Sequence, residues 1–117
     1  MGNDTDEYDI VGESHYQSAL LKLFGPKREH GISESCAAVL IAEPDNRYDK
    51  NAVRCEISGL RVGYLSREDA KEFSEYMRRQ NVRSIRVAAT VSGGWRDSKS
   101  EGYYGVSVEV PAELIDA

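Results

Sequence analysis

Two alternating runs in the C-terminal third constrain this chain more than any other feature. Ile85, Val87, Ala89 and Val91 are apolar with Arg86 and Thr90 pointing the other way, and Tyr104, Val106, Val108 and Val110 repeat the pattern. Side chains on a strand alternate between two faces, so each run reads as a strand with one face in a core. Shorter segments precede them: Tyr8-Asp9-Ile10-Val11, the apolar stretch Cys36 to Ala42, and the runs Ala52 to Ile57 and Arg61 to Leu65, joined through Ser58-Gly59 as a hairpin. Two segments carry helical spacing instead. Ala19, Leu20, Leu23 and Phe24 follow Ser14-His15-Tyr16-Gln17, a capping box in which the Ser14 hydroxyl takes a helix N–H and Gln17 reaches back, and Gly25-Pro26 stops that helix. Ala70, Phe73, Tyr76 and Met77 follow Ser66, the expected cap of a helix running to about Arg79. Six short strands and two helices without a strand-helix-strand rhythm predict a mainly β fold, a small OB-like or SH3-like six-stranded β-barrel.

A chain of 117 residues can bury one core without staples, so a single domain is expected over residues 8–111, between a disordered acidic tail at 1–7 and a C-terminal tail at 112–117. No apolar run is long enough for a bilayer and the start lacks a secretory pattern, which makes a cytoplasmic location the expectation. Cys36 and Cys55 are too few and too far apart for a zinc site, and Cys55 falls on the apolar face of its strand. The net charge of -5 argues mildly against duplex DNA as partner. Acidic residues, however, crowd the N-terminus (Asp4, Asp6, Glu7, Asp9), while Arg47, Lys50, Arg54, Arg61, Arg67, Arg78, Arg79, Arg83 and Arg86 fill the middle, so a local basic face is compatible with an acidic whole.

No nucleophile elbow, zinc-protease or phosphate-loop motif is present, and neither His15 nor His30 has a nucleophile beside it. Glu43, Asp45 and Asp49 could hold a hard cation, yet their order does not fit an EF-hand, and Asx turns are the favoured reading. Neither cofactor nor metal is expected. Aromatic and basic residues recur together in His15-Tyr16, Arg47-Tyr48, Tyr64 with Arg67, and Trp95-Arg96. Such pairs suit a nucleic-acid strand whose bases stack on rings while its phosphates meet cations. Tyr16 and Tyr64 could equally be core residues with satisfied hydroxyls, and Arg67 a solvated charge at a helix end. The exposed-looking Trp95 is either a contact residue or a lid over a barrel end. Tyr103 and Tyr104 should face opposite sides of a strand, leaving one of them available.

Three stretches taken together resemble the HIRAN domain in order and spacing. They are Val11-Gly12-Glu13-Ser14-His15-Tyr16-Gln17, then Glu43-Pro44-Asp45-Asn46-Arg47-Tyr48-Asp49-Lys50-Asn51-Ala52-Val53, then Val62-Gly63-Tyr64-Leu65 with Ala70 after it. The resemblance implies a modified OB-like barrel and a module that captures the 3′-hydroxyl end of single-stranded DNA. It also implies roles: Tyr48 stacking on the terminal nucleotide, Asp49 accepting a hydrogen bond from the free hydroxyl, Tyr64 lining the pocket and Arg67 meeting a phosphate. Where eukaryotic members carry an Arg-Tyr pair this chain has Ser14-His15, with the next tyrosine kept as Tyr16. His15 can still stack and donate, without arginine's fixed charge and fork. The late-strand aromatic of the family corresponds to Tyr103 or Tyr104.

The leading expectation is therefore a non-enzymatic DNA-binding module with the site residues His15, Tyr16, Tyr48, Asp49, Tyr64, Arg67 and Tyr103, serving DNA repair or replication-fork processing. The rival is a protein-interaction module that regulates a partner nuclease or helicase, motivated by the acidic balance and the missing arginine. A third reading, a hydrolase built on Asp45, Asp49 and His15, has only those residues behind it.

Overall fold

The computed structural model describes residues 5–111, so the expected tails at 1–4 and 112–117 lie outside the described residues. Its strands are β1 (Thr5–Val11), β2 (Ile32–Ala42), β3 (Val53–Ile57), β4 (Leu60–Leu65), β5 (Ser84–Gly93) and β6 (Tyr104–Pro111). They close into a barrel in the order β1-β4-β3-β2-β5-β6, with every neighbouring pair antiparallel. The alternating residues do what their period demands: Val87, Ala89, Val91, Tyr104, Val106, Val108 and Val110 are all buried in one core. Cys55 is fully buried among them, and burial pushes its thiol up to about 12, so it behaves as a small hydrophobe.

Two strands begin earlier than their hydropathy indicates. Residues 5–7, expected as part of the tail, pair with residues 109–111, and β2 begins at Ile32 rather than Cys36 because Ser33, Glu34 and Ser35 pair with β5. Asp6, Glu7, Ser33 and Glu34 are exposed and carry no apolar signal, but their backbones fill hydrogen-bonding positions that would otherwise be open edges of β6 and β5. Between β3 and β4 the chain reverses through Ser58 (φ 50) and Gly59 (φ 81). Two positive φ angles in succession make the primed turn whose twist matches a hairpin.

The first helix differs from its capping-box expectation. A 3-10 turn, Glu13–His15, precedes α1 (Gln17–Phe24), and Tyr16 stands at the N-cap with no side-chain bond, so Ser14 caps nothing. Gln17 reaches further than the box requires. Its amide donates to the carbonyls of Glu13 and Tyr104, 3.0 Å each, and accepts from the Tyr104 N–H at 3.0 Å, pinning α1 to the start of β6. Gly25 ends the helix as expected, at φ 85.

The second helix, α2 (Arg67–Gln80), follows its sequence signals closely. The Ser66 hydroxyl accepts from the Asp69 N–H at 3.2 Å, and Asn81 closes the far end in the left-handed conformation at φ 55. Ala70, Phe73, Tyr76 and Met77 are buried, with the Phe73 ring edge-on to Tyr8 at 6.4 Å and tilted against Tyr76 at 6.0 Å. Ser66→Ala is expected to cost about 1 kcal/mol, the usual worth of an N-cap, read as a few degrees in Tm with the barrel's circular dichroism spectrum unchanged.

Candidate nucleic-acid interface

The loop of residues 43–51 is shaped by its own short polar side chains. Asn46 Oδ1 accepts from the N–H groups of Tyr48 (2.8 Å) and Asp49 (3.0 Å), and its Nδ2 donates to Glu43 Oε1 (2.9 Å). Asp49 Oδ1 in turn accepts from the Asn51 N–H at 2.9 Å. These Asx turns spend one carboxylate oxygen of Asp49 on the loop; the other has no protein donor among the described residues. They also project Tyr48 outward, where it is 80% exposed with the Arg47 guanidinium 5.7 Å from its ring centre. An aromatic ring held in water by a rigid loop is positioned for contact rather than for the core.

Four of the expected residues meet at one place. Tyr48 and Asp49 from the loop, Tyr64 from β4 and Arg67 from the first turn of α2 line a pocket of about 340 Å³, with Val11 and Asn46 completing its wall. Tyr64 is not a core residue, although its hydroxyl is satisfied. Its hydroxyl donates to Glu43, 3.1 and 3.2 Å from the two carboxylate oxygens, while the half-buried ring faces the pocket. Glu43 is the hub behind that wall: Arg54 Nη1 lies 2.9 Å and Arg61 Nη2 3.8 Å from Oε2. Arg54 also approaches Glu56 at 2.8 Å, at an angle too bent for a hydrogen bond. Its oxygens are occupied by cations and donors, which favours the turn reading of this loop over a hard-cation site.

Burial alone would raise the Glu43 pKa, but the hydrogen bonds from Asn46, Arg54 and Tyr64 and the Arg54 charge hold it below the ordinary 4.5. The folded state therefore holds this proton more weakly than the unfolded chain does. The resulting stabilisation is present above about pH 4.5 and is lost as pH falls through the lower folded value. Thermal unfolding followed from neutral pH to about pH 3 should show Tm falling in the wild type, and falling less steeply in Glu43→Gln, which has no proton to take up there.

The remaining expected residues lie outside this pocket. Tyr16 is half-buried beside Arg61, whose pKa it raises and whose guanidinium stands 5.6 Å from the Tyr64 ring centre, so Tyr16 reaches the site through an intermediary. His15 is exposed at the end of the 3-10 turn and does not line the pocket. Tyr103 and Tyr104 do face opposite sides: Tyr104 is buried with its hydroxyl donating to the Gly25 carbonyl at 2.8 Å, and Tyr103 is 64% exposed. Tyr103, however, sits in a separate recess with Glu101 and Lys27, whose ammonium is 5.2 Å from the ring centre. Trp95 is half-buried rather than exposed, because Gly102 lies so close that a side chain there would meet the indole, and Gly102 N–H bonds to the Trp95 carbonyl at 2.9 Å. Trp95 therefore packs within its own loop, and it is not part of the core cluster. Sequence reasoning missed Glu43, Asn46 and Arg61 as organisers of the site. Asn46 could have been found from its place in a turn-forming run, but two partners of Glu43, Arg54 and Tyr64, lie 11 and 21 residues away and leave no local trace.

What this architecture defines is a small closed antiparallel barrel with a pocket on one side lined by aromatic, acidic and basic side chains. The chain belongs to the HIRAN domain family, which its sequence matches over residues 7–112. HIRAN domains are DNA-binding rather than catalytic modules. Among solved structures, the chain is similar to the HIRAN domain of human HLTF, at 16% identity over 96% of this chain and 80% of that one with a TM-score of 0.49. It is also similar to a protein from Lactobacillus plantarum, at 17% identity over 90% of this chain and 92% of that one with a TM-score of 0.49. None of the curated proteins compared matches the chain. Among the described residues no helix is long and apolar enough to cross a membrane.

Proposed function

We propose that the chain is a non-enzymatic module that binds single-stranded DNA at a free 3′-hydroxyl end, in DNA repair or replication-fork processing. The observation that carries this reading is the convergence of Tyr48, Asp49, Tyr64 and Arg67, from a loop, a strand and a helix, on one pocket of about 340 Å³. That volume falls in the range of small-ligand sites and suits one nucleotide rather than a duplex end. Tyr48 offers a face for the terminal base, and Arg67 a cation for the phosphate that follows it. The uncommitted oxygen of Asp49 accepts a hydrogen bond from a hydroxyl and repels a phosphate in the same place, which gives the site its preference for a 3′-hydroxyl. His15 and Tyr16 act as secondary contacts outside this pocket, and Tyr103 belongs to no part of the terminal site.

Fluorescence anisotropy with labelled single strands carrying either a free or a phosphorylated 3′ end tests the proposal. Tighter binding of the free hydroxyl is expected. Equal affinity for the two ends overturns end capture, and absence of binding at low salt overturns the DNA reading in favour of a nuclease or helicase partner.

A further inference from the structure

A second concavity of about 300 Å³ also borders this loop, lined by the apolar Ala42, Met77 and Val82 together with Lys50, Arg78 and Arg83. No carboxylate lines it, although the chain as a whole carries five more acidic than basic residues. Among the described residues Lys50 and Arg83 form no ion pair, and Arg78 donates to the neutral amide oxygen of Asn51 at 3.3 Å. Arg54 and Arg61, by contrast, face Glu43, and Arg96 faces Glu101. Arg83 also lines an adjoining recess with Glu43 and Asp45, but within this concavity the three cations have no carboxylate beside them, and an external anion relieves their mutual repulsion. Asn51 ties this ring to the terminal pocket. It bonds Ser74 and Arg78 of α2 through one oxygen, while its N–H bonds Asp49. Asp49 and Lys50 are adjacent in sequence, and each lines one of the two concavities.

We infer that the Lys50–Arg78–Arg83 concavity is a phosphate site for the continuing backbone of the bound strand, on the 5′ side of the nucleotide held in the terminal pocket. This rests on the reading that the chain binds single-stranded DNA, though not on its preference for a 3′-hydroxyl. The loop of residues 43–51 then acts as a saddle, with the strand end on one flank and its phosphates on the other. The pocket composition favours a phosphodiester over a carboxylate ligand, because three separate cations can share the oxygens of successive phosphates.

The test is the double variant Lys50→Gln/Arg83→Gln, two exposed residues outside the terminal pocket, against the control Lys22→Gln/Lys99→Gln, which makes the same change in net charge on exposed residues elsewhere. With a ten-nucleotide strand, the first variant should weaken binding about tenfold near 0.1 M salt and flatten the plot of log affinity against log salt by about 1.4, the contribution of two phosphates. The control should do neither, and the ratio of affinities for hydroxyl and phosphate 3′ ends should be unchanged in both. An unchanged slope, or an equal change in the control, overturns the site. So does amide chemical-shift perturbation at residues 81–83 by inorganic pyrophosphate without any effect of the variant on strand binding, which would assign the concavity to a free phosphate compound. Loss of end preference in the wild type with the slope difference intact refutes end capture alone, so the two readings fail separately.

Discussion

Tyr48→Ala is expected to weaken binding of a single strand with a free 3′-hydroxyl by roughly 5- to 150-fold, the equivalent of the ~1–3 kcal/mol that one base stacked on an aromatic ring contributes. The effect should be almost purely one of affinity. At 80% exposure the Tyr48 ring contributes nothing to the core, and its one described ring contact is the neighbouring Arg47 guanidinium. Unfolding temperature should therefore stay within about a degree of wild type, in line with surface substitutions generally. Asp49 allows a finer dissection. Asp49→Asn keeps an oxygen to accept the Asn51 N–H and so preserves the turn, but removes the charge that excludes a terminal phosphate. Discrimination between hydroxyl and phosphate ends should collapse in Asp49→Asn while the loop remains folded; Asp49→Ala should lose the turn as well. Anisotropy titrations on the three variants check this, and unchanged affinity in Tyr48→Ala removes stacking from the mechanism.

The largest expected effect on stability comes from Gly63→Ala. Gly63 has φ +155, and a Cβ built on it would lie 2.4 Å from Ile10 Cγ2 and 2.7 Å from the Val11 carbonyl oxygen. One obstacle is backbone that cannot rotate away, and both belong to β1 where it crosses β4. That seam closes the barrel through only two aligned pairs, Ile10 with Leu65 and Val11 with Tyr64. Strain at such a backbone position together with overpacking should cost about 3 kcal/mol or more. For a domain of this size that lowers Tm by about 10 °C or more, measurable by calorimetry. The same change should loosen the terminal pocket, since Val11 and Tyr64 both line it. Gly63→Ala is thus expected to reduce strand affinity as well as stability, in contrast to Tyr48→Ala. Wild-type stability in this variant would show that β1 can slide without opening the barrel.

Local signals carried far in this chain where neighbours in sequence are also neighbours in space. The alternation of Tyr104, Val106, Val108 and Val110 depends only on the pleat, Ser66 finds its N–H three residues on, and Ser58-Gly59 turns within its own hairpin. Even the shape of the Asp49 loop follows from Asn46, three residues before it. The tertiary structure decided everything that needed a distant partner. It placed Gln17 on the backbone of Tyr104, 87 residues away, instead of in a capping box, and it carried β1 back to Thr5 because β6 needed a neighbour. It separated Tyr103 from the other expected contact residues and assembled Glu43 with Arg54, Arg61 and Tyr64. The physical reason is the same in each case. Composition and period report which face of a segment is apolar, whereas a polar side chain is satisfied by whatever partner the closed barrel brings within hydrogen-bond distance, and that partner has no fixed offset along the chain.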